Sequence, residues 1–167
     1  EDARILIYAP EHKKVSMRNG NLSWYIINRG DEYGIRLKDY GHPLIESFQG
    51  IENYPIDINW KVEARFEEYP EPKIVIIKNQ VGMDLETPVY GRFVFEIMGK
   101  EYSLEPTSPL DNETYFTMIF DQTSGDETYG SGRYIDVPRP DESGVAYIDF
   151  NKAYNPPCAW TEFATCT

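Results

Sequence analysis

Asp121, Thr123, Ser124, Tyr129 and Arg133 stand close together in the sequence, and Asp149, Asn151, Tyr154 and Asn155 follow shortly after. Together they offer carboxylates, a guanidinium, amides, phenols and aliphatic hydroxyls. Such groups, converging on a cleft between strands, would bind a small polar or anionic ligand through a few directed hydrogen bonds. The arginine fork would hold a carboxylate or phosphate. A second chemistry uses the same groups as acids and bases: a hydrolase or isomerase built on Asp121 or Asp149 with Arg133 and Tyr154. A third reading needs no ligand, because the groups could satisfy one another as a buried network in a structural or interaction module.

Arg133 carries the argument. It lies among Gly132, Tyr134 and Ile135, where a long exposed side chain is not the obvious choice. If buried it needs an anion, and Asp121, Asp136 and Asp149 are its natural partners.

Other chemistries fit less well. Asp121, Thr123, Ser124, Asp126 and Glu127 supply oxygens of the kind calcium takes, but Thr123 stands where an EF-hand loop has an acid or amide. The Asp121–Gly125 run reads instead as a turn whose short side chains bond their own backbone. Gly130-Ser131-Gly132 leads into a strand pattern, Arg133 to Val137, so no helix N-terminus would supply amides to a phosphate. The glycines permit a bend. Ser124 lacks the Gly-x-Ser-x-Gly elbow, and the two histidines, His12 and His42, lie far off in sequence. Cys158 follows Pro156-Pro157, with no helix N-terminus to lower its thiol pKa. No metal and no cofactor are expected.

Cys158 and Cys166 are the two cysteines. A disulfide between them would add about 2.5 kcal/mol in the chain-entropy model and would imply an oxidising compartment. Two free thiols are the alternative. A zinc site needs about four ligands, and the histidines are remote.

The elements that must position these residues read as strands. Trp60, Val62, Ala64 and Phe66 alternate with Lys61, Glu63, Arg65 and Glu67, the period of a strand with one wet face. Leu22 to Asn28 and Tyr33 to Leu37 flank Arg29-Gly30-Asp31, a hairpin signal. Phe93 to Met98 and Tyr102 to Leu104 flank Gly99-Lys100, a second one. Lys73 to Lys78 is apolar on both faces, which predicts a central strand. Tyr115 to Phe120 and Val145 to Phe150 complete the main set, with Arg4 to Tyr8 and Lys14 to Met17 as weaker candidates. Pro43 to Gln49 is the one fair helix signal, with proline near its start and Gly50 just past its end. The expected fold is all-β, an antiparallel β-barrel or β-sandwich with one short helix. The segment Gly50 to Asn59 reads as an ordered connector. It divides an N-terminal β subregion, residues 1–50, from a main barrel or sandwich domain, residues 51–167.

Composition bounds the function. The 167 residues fit one domain, or one domain and a fragment of a neighbour, and 41% apolar content makes the chain globular rather than disordered. No apolar run approaches the roughly 20 residues of a membrane helix, so no membrane insertion is expected. The net charge of −12 repels a phosphate backbone, and no basic stripe reverses it locally, so nucleic acid is not an expected partner. A small-molecule ligand is the partner class left; protein partners are not legible.

Two long runs carry a resemblance. Phe120 to Tyr134 contains Thr-Ser-Gly-Asp-Glu-Thr-Tyr-Gly-Ser-Gly-Arg-Tyr, and Ile148 to Ala159 contains Asp-Phe-Asn-Lys-Ala-Tyr-Asn-Pro-Pro-Cys. With Trp24 to Lys38 and Val62 to Lys73, they resemble the bacterial and archaeal family catalogued as domain of unknown function 1684. The resemblance covers most of the chain and brings no established activity. It implies that the chain is trimmed at both ends: members continue past the second cysteine with a proline-rich segment and a final strand. Longer members carry an N-terminal region resembling a forkhead-associated module, of which the residues before about Gly50 would be the tail. Some relatives resemble exported lipoproteins, which implies an extracytoplasmic, exported or lipid-anchored location and would suit a disulfide; others look cytoplasmic.

Overall fold

A computed structural model describes residues 15–29, 32–78 and 82–164. Arg4 to Tyr8, Lys14 and Cys166 lie outside these residues, and with them one expected strand and the disulfide partner. The fold is all-β, with antiparallel sheets, one single-turn helix and a few 3-10 turns among the described residues. The chain divides into two compact units, Glu1–Asn53 and Tyr54–Thr167.

In the first unit β1 (Met17–Asn19), β2 (Leu22–Arg29) and β3 (Glu32–Asp39) form an antiparallel sheet in that order. Arg29 pairs with Glu32, so the expected hairpin forms, its two turn residues lying outside the described set. Ile26 opposite Ile35 and Trp24 opposite Leu37 put apolar residues on one face. The helix α1 (Leu44–Ser47) is a single turn, shorter than the Pro43 to Gln49 signal. A helix this short cannot hold itself by propensity, and none of its residues is buried.

The second unit holds β4 (Lys61–Lys78), β5 (Asp84–Ile97), β6 (Lys100–Leu104), β7 (Thr114–Ile119), β8 (Arg133–Pro138) and β9 (Val145–Asp149). Four of them form a sheet in the order β6-β5-β4-β9, while β7 and β8 form a two-stranded ribbon. The period-two pattern explains the packing. Ala64, Phe93, Phe95, Ala146 and Ile148 from the sheet meet Tyr115, Ile119, Ile135 and Val137 from the ribbon in one core. Phe93, fully buried, sits against Phe66 and Tyr115 with ring centroids 5.1 and 5.9 Å away. The two polar ends of this core are satisfied: the Tyr115 hydroxyl donates to the Leu110 carbonyl at 2.9 Å, and the Phe116 N–H donates to Ser108 Oγ at 2.8 Å.

Two expectations are corrected here. Lys73 to Lys78 is not central: among the described residues it pairs with β5 alone, because β9 reaches only Lys61 to Arg65. Ile74 and Ile76 are accordingly 58% and 67% exposed. The cause lies just upstream, where the register jumps from Glu68 opposite Gly91 to Lys73 opposite Val89. The intervening Tyr69-Pro70-Glu71-Pro72 bulges out, since neither proline can donate to a ladder. The turn between β5 and β6 is Met98-Gly99 rather than Gly99-Lys100. Both residues have positive φ, 53° and 75°, as a two-residue turn matching the strand twist requires.

Candidate functional site

The loop from Phe120 to Gly132 joins β7 to β8 and is built by short-range hydrogen bonds. Asp121 Oδ1 accepts from the Thr123 N–H at 2.9 Å and from its hydroxyl at 2.5 Å. The Asp121 N–H in turn donates to Ser124 Oγ at 3.2 Å. The Thr123 carbonyl accepts from the N–H groups of Asp126, Glu127 and Thr128, and the Thr123 and Thr128 hydroxyls meet at 3.0 Å. The Asp121–Gly125 run is thus the self-bonded turn that its side chains imply. Among the described residues, no three His, Cys, Asp or Glu side chains converge as metal ligands would.

The loop closes on Gly132, whose N–H donates to the Tyr129 carbonyl at 2.9 Å. Gly132 has φ +84°, and a β-carbon there would lie 2.5 Å from the Ile119 carbonyl oxygen. Only glycine fits that approach. It brings the first residue of β8, Arg133, opposite the last residue of β7, Ile119.

Arg133 therefore faces Asp121 across the mouth of the ribbon, with Nη2 2.5 Å from Asp121 Oδ2. Of the three carboxylates the sequence offers it, it takes this one. The Arg133 side chain is 18% exposed and that of Asp121 40%. Arg133 Nε is buried and has no hydrogen-bond partner among the described residues. Burial pushes the Asp121 pKa up. The Thr123 hydroxyl and N–H and the Arg133 guanidinium outweigh it, so the carboxyl sits below its ordinary range. Tyr54 joins the cluster, its hydroxyl donating to Glu127 Oε2 at 2.8 Å. That bond, aided by burial and the Glu127 charge, raises the Tyr54 pKa, and the charges of Arg133 and Asp121 are felt at the same ring.

Asp149 and Asn151 sit elsewhere in the unit. Asp149 ends β9 and caps the 3-10 turn Phe150–Lys152, accepting from the Asn151 N–H at 3.3 Å and from its Nδ2 at 2.9 Å. Its other oxygen is 3.8 Å from Lys152 Nζ. Asn151 reaches on to the Asp57 backbone, accepting from its N–H and donating to its carbonyl, both at 2.9 Å. Ile56, Ile58, Lys61, Asp149, Asn151 and Lys152 line a shallow groove of about 240 Å³.

Tyr154 bridges towards the first cluster. Its backbone exchanges hydrogen bonds of 2.8 and 2.9 Å with Tyr134, the neighbour of Arg133, and its hydroxyl donates to Asp136 Oδ2 at 3.1 Å. Burial first, then the Asp136 bond, pushes its pKa up to about 12. Tyr129 and Asn155 are half-buried, as is Cys158 in the turn Pro157–Ala159.

The structure thus brings Asp121, Thr123, Ser124 and Arg133 together and puts Tyr154 beside the neighbouring strand position. It gives Asp149 and Asn151 different partners. The Asp121 carboxyl is held below its ordinary range and the Tyr154 hydroxyl above its own, so neither is moved towards neutral pH. Tyr54 and Asp57 escaped the sequence reading of 50–59 as a connector. One signal for them was present: Asp57 two residues before Asn59, whose N–H it caps at 2.9 Å.

The model of a family described as "Protein of unknown function (DUF1684)" matches residues 46–167. No curated protein matches the chain. Among solved structures, the solution NMR structure of the uncharacterized protein from gene locus rrnAC0354 of Haloarcula marismortui is similar, with TM-score 0.56 and 24% identity. The alignment covers 71% of this chain and 66% of that one, so this chain spans just under two thirds of its neighbour's length. At that identity the likeness is one of fold.

Proposed function

We propose, from the premise that the chain belongs to the DUF1684 family of proteins of unknown function, that it binds a small polar or anionic ligand at the Asp121–Arg133 rim. One observation supports the reading above the others. Arg133 is largely buried, yet among the described residues its guanidinium has the single partner Asp121, and its Nε has none. A buried donor without an acceptor costs about 1–3 kcal/mol and is kept where something else meets the group. By contrast, the amide of Asn151 is fully engaged with Asp57 and Asp149, which suits a clasp better than a ligand contact.

The reading is tested by titrating ¹⁵N-labelled protein with citrate, inorganic phosphate, maltose and cellobiose while following backbone amides. At least one probe should shift the Thr123 to Arg133 amides saturably, and Arg133→Met, which keeps the aliphatic stem, should abolish the response in a folded protein. If no probe moves these amides, or Arg133→Met responds as wild type does, the groups form only an internal network and the binding reading is wrong.

A further inference from the structure

We infer that the sheet of the first unit carries a separate binding surface, a basic face that takes an acidic peptide segment in extended form. It stands apart from the Arg133 reading and does not depend on it.

No run of basic residues announces this face in the sequence; the strand register makes it. Arg18 of β1 stands opposite Ser23 of β2, and Ser23 opposite Lys38 of β3. Two residues along, Tyr25 stands opposite Arg36. Residues directly opposite, and those two apart on one strand, point to the same side, so Arg18, Arg36 and Lys38 share a face. Two contacts between residues on that side agree. The Ser16 and Ser23 hydroxyls meet at 3.0 Å, and the Arg18 guanidinium carbon lies 5.9 Å from the centroid of the Tyr40 ring. The acids stand off. Asp39 is opposite Leu22 on the other face, and Glu32 is opposite Arg29, about 13 Å along β3 from Arg36.

Arg18 and Lys38 are exposed and Arg36 is half-buried. None of the three makes an ion pair among the described residues, whereas Arg65, Lys73, Lys78, Arg92, Arg133 and Lys152 all do. Three such cations with no acid between them, in a chain of 28 acids and 16 bases, attract an anion at short range. Their backbones are about 7 Å apart along β3 and about 10 Å apart across two strand spacings. Alternate side chains of an extended peptide repeat at the same ~7 Å, so an acid at every second position matches Arg36 and Lys38. Size selects a peptide over a longer polyanion. Screening confines the attraction to about 8 Å at physiological ionic strength, and a nucleic acid or an anionic membrane extends past it into the field of a chain of net charge −12.

The test titrates the ¹⁵N-labelled chain with an alternating Asp-Ser peptide, an oligothymidylate and phosphatidylserine vesicles, by amide shifts and calorimetry. The peptide should bind saturably and move the Ser23, Tyr25, Arg36 and Lys38 amides, with affinity falling as salt is added. Arg36→Gln with Lys38→Gln should weaken it at least about tenfold, equivalent to ~1.4 kcal/mol. Arg18→Gln, on another strand, makes the same test without touching β3, and Lys38→Arg should bind as wild type does. Amides of this sheet that stay still, or affinity unchanged by the glutamine substitutions, would overturn the inference. Tighter binding of the oligothymidylate or the vesicles at these amides would overturn the choice of a peptide.

Discussion

The Asn151 side chain pairs with the backbone of Asp57, 94 residues earlier, as one strand residue pairs with another: its Oδ1 accepts the Asp57 N–H and its Nδ2 donates to the Asp57 carbonyl, each at 2.9 Å. The same amide leans on Asp149. One side chain thus fixes where the segment entering β4 crosses the end of β9. That segment also carries Tyr54 to Glu127, so its path matters to the Arg133 rim.

Asn151→Ala should cost about 1–2 kcal/mol, the worth of two backbone hydrogen bonds that water can partly replace at this exposed position. Asn151→Asp should also destabilise, because it loses the donor and sets a second carboxylate beside Asp149. Urea unfolding gives the energies, and hydrogen exchange at the Asp57 amide gives the mechanism. Protection of that amide unchanged in Asn151→Ala would show that the clasp does not hold the segment.

Gly132→Ala should be more damaging than its location in a loop suggests. A β-carbon at φ +84° is strained, and it would stand 2.5 Å from the Ile119 carbonyl, an atom of the ribbon's own backbone. A loss of about 2–4 kcal/mol is expected. Gly125→Ala is the control: φ is +90°, but nothing lies closer than 3.9 Å, so only about 1 kcal/mol should be lost. Equal melting temperatures for the two variants would mean that the close approach at Gly132 is not what demands glycine.

Phe93→Ala tests the core that holds the rim in place. Phe93 is fully buried, packed on Phe66 from its own sheet and on Tyr115 from the ribbon. Truncation should cost about 3–5 kcal/mol, because the cavity opens between two sheets that are each stiffened by their ladders. Near-ultraviolet circular dichroism of the tyrosines should weaken along with the urea midpoint. A loss under about 1 kcal/mol would place the weight of the core elsewhere.

How much of this was legible in the sequence depends on the range of each interaction. The β4 alternation of Val62, Ala64 and Phe66 against Lys61, Glu63 and Arg65 was readable because a half-buried strand writes its period locally. The Asp121 turn was readable for the same reason: its bonds span two to five residues. Lys73 to Lys78 misled because apolarity reports burial pressure, not the identity of neighbouring strands, and the Tyr69–Pro72 bulge that takes it away from β9 acts at a distance. The choice of Asp121 over Asp136 and Asp149 for Arg133 is set by the β7–β8 register, which no local pattern encodes. Tyr54 and Asp57 were invisible for the strongest version of that reason. Their partners lie 73 and 94 residues away.

The Asp121–Arg133 pair makes a prediction in acid. The Asp121 pKa is lower in the folded protein than its ordinary value. A group depressed on folding contributes stability above its unfolded pKa, about 3.9 for aspartate, and loses it as pH falls through the folded value. The melting temperature of wild type should therefore drop on acidification below about pH 4 more steeply than that of Asp121→Asn, which has no charge to lose. Above about pH 5 the gap between the two proteins should be constant, since Asp121 is fully ionised there in both folded and unfolded chains. With Asp121 40% exposed, added salt should narrow that gap by screening the pair. Parallel acid limbs for the two proteins would mean that the pair contributes nothing on folding. Arg133 would then be held in place by the Ile119 register and its buried stem alone, with its guanidinium unconstrained by the protein.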